Sequence, residues 1–193
     1  MHKIVSALIA AMALCATSAQ ATLIDFESTG TPTFINDLDY AIDGFRFSQT
    51  MDNIDINNSW WSGTGPAHSG SFVALNNYGG AGEITRDGGG TFSFNGLWVK
   101  NWFDGSTRTG TIVGLLNGAE VASVTGESSA IWNHVSANFT NIDTLRFNFG
   151  NYFIVDDISL NEASSNVPEP GSLALLGLGL AGLLTAGRSR RKV

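Results

Sequence analysis

The sequence predicts an all-β antiparallel sandwich, and three observations carry that prediction. Outside the two ends the chain is rich in Gly, Asn, Ser, Thr and Phe and poor in Lys, Glu and Leu, the balance of strands joined by tight turns. Short β-branched or aromatic runs recur along its length, each bounded by Gly, Asn, Asp or Ser, the pattern of many small strands in a two-layer β fold. Several runs alternate, among them Phe45-Arg46-Phe47, Phe92-Ser93-Phe94 and Phe147-Asn148-Phe149. Each places two aromatics on one face and a polar residue on the other, as a half-buried strand requires.

In chain order, residues 1–21 read as an export signal. Lys3 supplies a short basic start, Ile4 to Ala16 an apolar run, and Ala19-Gln20-Ala21 the small-x-small pattern of a signal-peptidase site. A signal helix is expected here, with Thr22 beginning the mature chain. Cys15 is the only cysteine. Leu14 before it is too large for a lipobox, which weighs against a lipoprotein, and the mature chain is left without disulfide or thiolate chemistry.

Residues 22–162 form the expected sandwich domain, with strands at Leu23 to Glu27, Gly44 to Ser48, Phe72 to Asn76, Gly82 to Arg86, Thr91 to Phe94, Leu97 to Phe103, Gly110 to Leu116, Ala119 to Thr125, Trp132 to Asn138, Thr144 to Phe149 and Tyr152 to Leu160. Asn117-Gly118 is the strongest hairpin signal, because both residues tolerate positive φ. Asp87-Gly88-Gly89-Gly90 reads as a turn, since no helical pattern follows it to make a phosphate site. Asp52, Asn53, Asp55, Asn57 and Asn58 read as a solvated polar loop, with cation binding the less favoured use. Residues 163–166 read as a linker.

In residues 167–193, two prolines stop the domain, an apolar segment from Leu173 to Ala186 marginally spans a bilayer as a transmembrane helix, and Arg188, Arg190, Arg191 and Lys192 stay cytoplasmic by the positive-inside rule. A plain membrane anchor would share those parts. Their order, Val167-Pro168-Glu169-Pro170, membrane segment, basic end, resembles the PEP-CTERM sorting signal. That resemblance implies processing near the motif by an exosortase, transient passage through the inner membrane, and delivery to the cell surface or extracellular matrix of a Gram-negative bacterium that makes extracellular polysaccharide.

Charge is divided along the chain. Between Thr22 and Val167 five bases stand against sixteen carboxylates, leaving about -11. Nucleic acid is excluded as a partner; solubility outside the cell and cation binding remain.

The layout from Ile24-Asp25-Phe26-Glu27 to Phe153-Ile154-Val155-Asp156-Asp157-Ile158-Ser159-Leu160 resembles the jelly-roll, galactose-binding-like fold of extracellular carbohydrate-binding modules. The resemblance implies that the first and last strands lie side by side. If Ile154, Asp156, Ile158 and Leu160 share the core face, Asp156 needs a partner for its charge. Asp25, Glu27, Asp156 and Asp157 would give structural calcium an oxygen shell, although the two aspartates could equally be surface residues.

Trp60 or Trp61, in an Asn-, Ser- and Gly-rich loop, would offer a face on which a sugar ring stacks. Adjacent residues point opposite ways, so one of the pair would instead plug the core. Trp98 and Trp102 flank Lys100 on a strand; sugar stacking there is less favoured than at Trp60 or Trp61, and the plainer reading has them share the core face of Phe92 and Phe94. The mature chain holds only His68 and His134, His68 within a turn, and lacks a nucleophile elbow or a zinc-protease motif. A carboxylate pair could hydrolyse glycosides, but sequence selects no pair. The expectation is a non-catalytic envelope or matrix protein that binds or organises extracellular polysaccharide. The alternatives are a structural or protein-binding surface module and a polysaccharide-active enzyme.

Overall fold

The computed structural model describes residues 22–29, 35–38, 40–58, 60–103 and 105–160. The export signal with Ala19 and Ala21, the linker, and the sorting tail from Val167 through Lys192, with both expected flanking helices, lie outside the described residues.

The described chain is all-β. Its strands are β1 (Thr22–Ile24), β2 (Ile35–Asp37), β3 (Ala41–Ile42), β4 (Phe45–Phe47), β5 (Met51–Asp55), β6 (Phe72–Asn76), β7 (Gly82–Arg86), β8 (Phe92–Asn101), β9 (Arg108–Leu116), β10 (Ala119–Ser128), β11 (Asn133–Ile142), β12 (Thr144–Asn148) and β13 (Phe153–Leu160). They form two antiparallel sheets of a jelly-roll sandwich. The first runs β11-β8-β13-β6-β5-β2, with β1 also on β13; the second runs β10-β9-β12-β7-β4-β3. The first and last strands are neighbours, Thr22 opposite Leu160 and Ile24 opposite Ile158. Asn117-Gly118 turns β9 into β10 with both residues at positive φ, the geometry its sequence calls for.

The main core draws on both sheets and is heavily aromatic, with Phe26, Phe45, Phe94, Phe147, Phe149 and Phe153 all fully buried. Tilted and edge-on ring pairs, such as Phe45 with Phe92 at 5.3 Å and Phe149 with Phe153 at 5.6 Å, fill it without face-to-face repulsion. Small residues make room for the rings. A Cβ at Gly110 would lie 2.1 Å from the Phe149 ring, so only glycine lets β9 pass over that phenyl group.

A second, smaller cluster covers the other face of the first sheet: Ile54, Ile56, Trp61, Val73, Leu75 and Ile154, with Ala67, Trp102 and Trp132 packed against it. The segment joining β5 to β6, residues 56–71, folds back over the sheet to make it.

Four expectations are corrected. Thr91 to Phe94 and Leu97 to Phe103 are largely one strand, β8, because Gly96 carries the ladder on, opposite Ser136 of β11 and Ser159 of β13. That ladder shifts register between Ser136 and Phe139 and between Asp156 and Ser159, and such a shift exchanges the two faces of a strand. Phe92 and Phe94 therefore face the main core, whereas Trp98 and Trp102 lie on the opposite face. The same disturbance splits the last strand. Asp157 takes a positive φ of 47°, so Ile158 and Leu160 enter the main core while Ile154 joins the second cluster. Lastly, Asp52, Asn53 and Asp55 sit in β5, paired with β6 and β2, because Met51 and Ile54 anchor its two faces to the two cores. The short strands β2 and β3 were also absent from the sequence reading.

Candidate functional site

The register shifts meet at one place on the outer face of the first sheet. Across the strands, His134, Trp98 and Asp156 form one row, and Ser136, Gly96, Ser159 and Leu23 form the next. The 56–71 segment covers only part of this face. Beside it lies an open cleft of about 390 Å³ lined by Leu23, Asn95, Gly96, Trp98, His134, Asp157 and Ser159.

Trp98 is the apolar wall of the cleft. His68 stacks on its indole with centroids 3.8 Å apart and planes 18° from parallel, and His134 tilts against it at 4.9 Å. Gly96 is the floor. A Cβ there would come within 2.8 Å of the Val135 carbonyl oxygen and 2.9 Å of His134 Nε2, so the bare backbone is what lets the imidazole lie across the sheet. Ser136 Oγ is 3.1 Å from His134 Nδ1 and orients that ring.

The roof is tied down by charged groups. Asp156, fully buried, accepts the backbone N–H groups of His68 and Ser69 on Oδ2, each at 3.0 Å, and that of Asp157 on Oδ1 at 2.8 Å. Burial still outweighs those donors, and the neighbouring Asp157 adds to it, so the carboxyl is pushed up to about 7. Asp157 takes His68 Nδ1 at 2.5 Å and the Ser69 hydroxyl at 2.8 Å. Glu27 Oε1 accepts Ser71 N–H at 2.6 Å and Phe72 N–H at 2.7 Å. Lys100 Nζ donates to the Thr64 carbonyl, and Trp132 Nε1 donates to that of Pro66 at 3.1 Å.

Of the residues singled out as a metal shell, Glu27, Asp156 and Asp157 converge on this roof segment, where backbone amides, a histidine and a serine hydroxyl occupy their oxygens. Asp25 instead accepts the Glu27 N–H at 3.1 Å, closing a local turn. Among the described residues no three His, Cys, Asp or Glu side chains are grouped to hold a metal ion. The tryptophan pair divides: Trp60 is 73% exposed, while Trp61 is 8% exposed and packs against Trp102 at 5.4 Å.

The sequence reading gave no binding role to His68 or His134 and did not single out Asn95 or Gly96. Trp98 offered one signal, a tryptophan two residues from a lysine on a strand. His68 offered none, because its contacts to Trp98 and Asp157 span the fold.

Residues 166–192 match the PEP-CTERM protein-sorting motif, so the chain carries the sorting signal its tail resembles. No curated protein matches the chain. Solved structures similar to it include carbohydrate-binding modules, the class that the end strands resemble. One is the CBM22-1 xylan-binding domain from Paenibacillus barcinonensis Xyn10C, at 11% identity over 78% of this chain and 100% of that one, with a TM-score of 0.46. Another is a family 35 carbohydrate binding module from Clostridium thermocellum, at 14% identity over 75% and 100%, TM-score 0.39. A third is the K2 cleaved adhesin domain of Lys-gingipain, at 13% identity over 76% and 100%, TM-score 0.44.

Proposed function

We propose that this chain is an exported, non-catalytic envelope or matrix protein whose sandwich binds extracellular polysaccharide in the cleft walled by Trp98. The observation that carries the reading is the combination in one open cleft of an indole wall with polar groups from three strands and a glycine floor. The part of the indole that His68 and His134 leave uncovered would meet an apolar ring face, with sugar hydroxyls toward Asn95, His134 and Ser159. The exposed Trp60 is a second indole on which a sugar ring would stack; Trp61 serves the core.

The sorting signal fits this reading. Signal peptidase would act after Ala21, the apolar tail segment would hold the chain in the inner membrane of a Gram-negative cell, and an exosortase would act near Pro168-Glu169-Pro170. The product would reach the cell surface or matrix, where polysaccharide is at hand. Mass spectrometry of the surface-displayed form is expected to lack the basic end; recovery of Arg190 to Val193 there would overturn the processing step.

Co-sedimentation of the full-length chain with extracellular polysaccharide from a producing bacterium tests the binding, with the supernatant assayed for new reducing ends. Binding that falls at least tenfold in Trp98→Ala, without new ends, is expected. New ends would favour an enzyme, and neither binding nor cleavage would leave a structural or protein-binding module.

A further inference from the structure

Lys100 is a buried cation that meets no counter-charge among the described residues. The residue is 7% exposed, and no carboxylate among the described residues makes an ion pair with it. One ammonium proton goes to the Thr64 carbonyl, and the Trp132 ring lies 5.8 Å from Nζ. These are neutral acceptors, which offset only part of what an ammonium loses on leaving water. Desolvation accordingly lowers its pKa.

This ammonium borders a cavity of about 200 Å³ that it shares with Gly63, Thr64, Asn101, Phe103 and Gly105. At about 30 Å³ per water the space would hold roughly half a dozen waters, enough for one charged group and part of a ring. The other polar side chains of the wall are already engaged. Asn101 donates to the Ser106 and Ser128 carbonyls and accepts the Ser128 hydroxyl, and Thr64 Oγ1 donates to the Trp61 carbonyl. The remaining Lys100 protons are the donors free to meet an entering group. At the rim Phe103 is 60% exposed; its ring lies over Gly63, where a Cβ would come within 2.3 Å, and against Trp102 at 4.7 Å.

We infer that this cavity is a second binding site, one that takes the carboxylate of an acidic sugar residue on Lys100 and the sugar's apolar face on Phe103. Among the described residues no carboxylate reaches Lys100, and a solvent-facing phenyl ring beside it is what a small free carboxylate would not use. The acidic remainder of the domain opposes this weakly, since exposed charges beyond about 8 Å are largely screened at physiological salt, whereas a buried pair is screened much less. The inference does not rest on the Trp98 cleft, and its readout is separate: polysaccharide sedimentation can fail while this site binds, and the reverse.

The test is calorimetric titration of the full-length chain in detergent with glucuronate, acetate and methyl glucoside, beside NMR titration of the Lys100 Cε resonance. Glucuronate is expected to bind at least tenfold more tightly than methyl glucoside and to raise the pH midpoint of Lys100. Phe103→Ala, at an exposed ring, should weaken glucuronate several-fold and leave acetate unchanged, and Lys100→Met should abolish binding of both. Equal binding of acetate and glucuronate would overturn the sugar assignment. An unmoved Lys100 midpoint, or no preference over methyl glucoside, would overturn the site.

Discussion

The imidazole of His68 lies flat on the indole of Trp98, 3.8 Å between centroids, while its Nδ1 meets Asp157 at 2.5 Å. The roof segment is thus clamped to two strands, β8 and β13, by one side chain. His68→Ala is expected to cost about 2 kcal/mol, the sum of a ring contact worth roughly 1 kcal/mol and a hydrogen bond to a charged group worth about as much or more. His68→Phe keeps the ring contact and should recover about half. Urea denaturation of the full chain followed by Trp fluorescence measures both; equal losses would show that the stack contributes nothing.

Glu27 anchors the end of the same segment through two backbone amides on one oxygen. Glu27→Ala leaves both donors without their acceptor and should cost about 2 kcal/mol, whereas Glu27→Gln retains an oxygen there and should cost less than half as much. Calcium, to which the sequence pointed, would have to displace these amides and those on Asp156. Thermal unfolding with chelator and with added calcium is therefore expected to give one and the same midpoint; a rise with calcium would restore the metal shell of Asp25, Glu27, Asp156 and Asp157.

Two buried carboxyls set a pH dependence. Burial first, then Asp37 across the strand pair, raises Asp52 to about 6 against the opposing hydrogen bond from Asn77, and burial raises Asp156 to about 7, from ordinary values of 3.8. The folded state therefore holds protons that the unfolded chain has released. Their stabilising effect is full below about 3.8 and is lost as pH rises through about 6 for Asp52 and about 7 for Asp156. Asp52→Asn, which keeps an acceptor for Asn77, should flatten the lower part of that fall and raise the urea midpoint at pH values above both. A variant no more stable than the parent there would remove Asp52 from the account.

Much of this fold was legible because aromatic alternation and turn residues are local signals. Asn117-Gly118 specified its hairpin, and Phe147-Asn148-Phe149 its core face. What escaped were the places where two strands jointly break register. Nothing local at Asn95-Gly96 says that the faces of β8 exchange there, since the shift is a property of its pairing with β11 and β13. Reading β8 and β13 as uninterrupted alternation put Trp98 inside and Asp156 beside Ile158. The site was missed for the same reason, because the cleft occupies the very rows that the shifts create. The sequence reading tied Asp156 to a partner only if it shared the face of Ile158; on the other face it is buried all the same, and it accepts the amides of Asp157 and of residues 68 and 69, the latter two distant in sequence.

Gly96 puts that reading of the cleft to its sharpest test. The nearest atom to a Cβ there is a backbone oxygen, Val135 O at 2.8 Å, which cannot swing aside, and the next is the His134 ring at 2.9 Å, which can. Gly96→Ala should therefore cost about 1 to 3 kcal/mol as β11 is pushed away from β8, and it should also lift His134 off the floor. If the cleft binds polysaccharide, the variant loses that binding at temperatures where far-UV circular dichroism shows it fully folded. His134→Ala, which vacates the ring position without straining the strands, separates the two effects: a binding loss there with little change in stability assigns the loss to the cleft, and unchanged binding in both variants would move the polysaccharide site away from this face of the sheet.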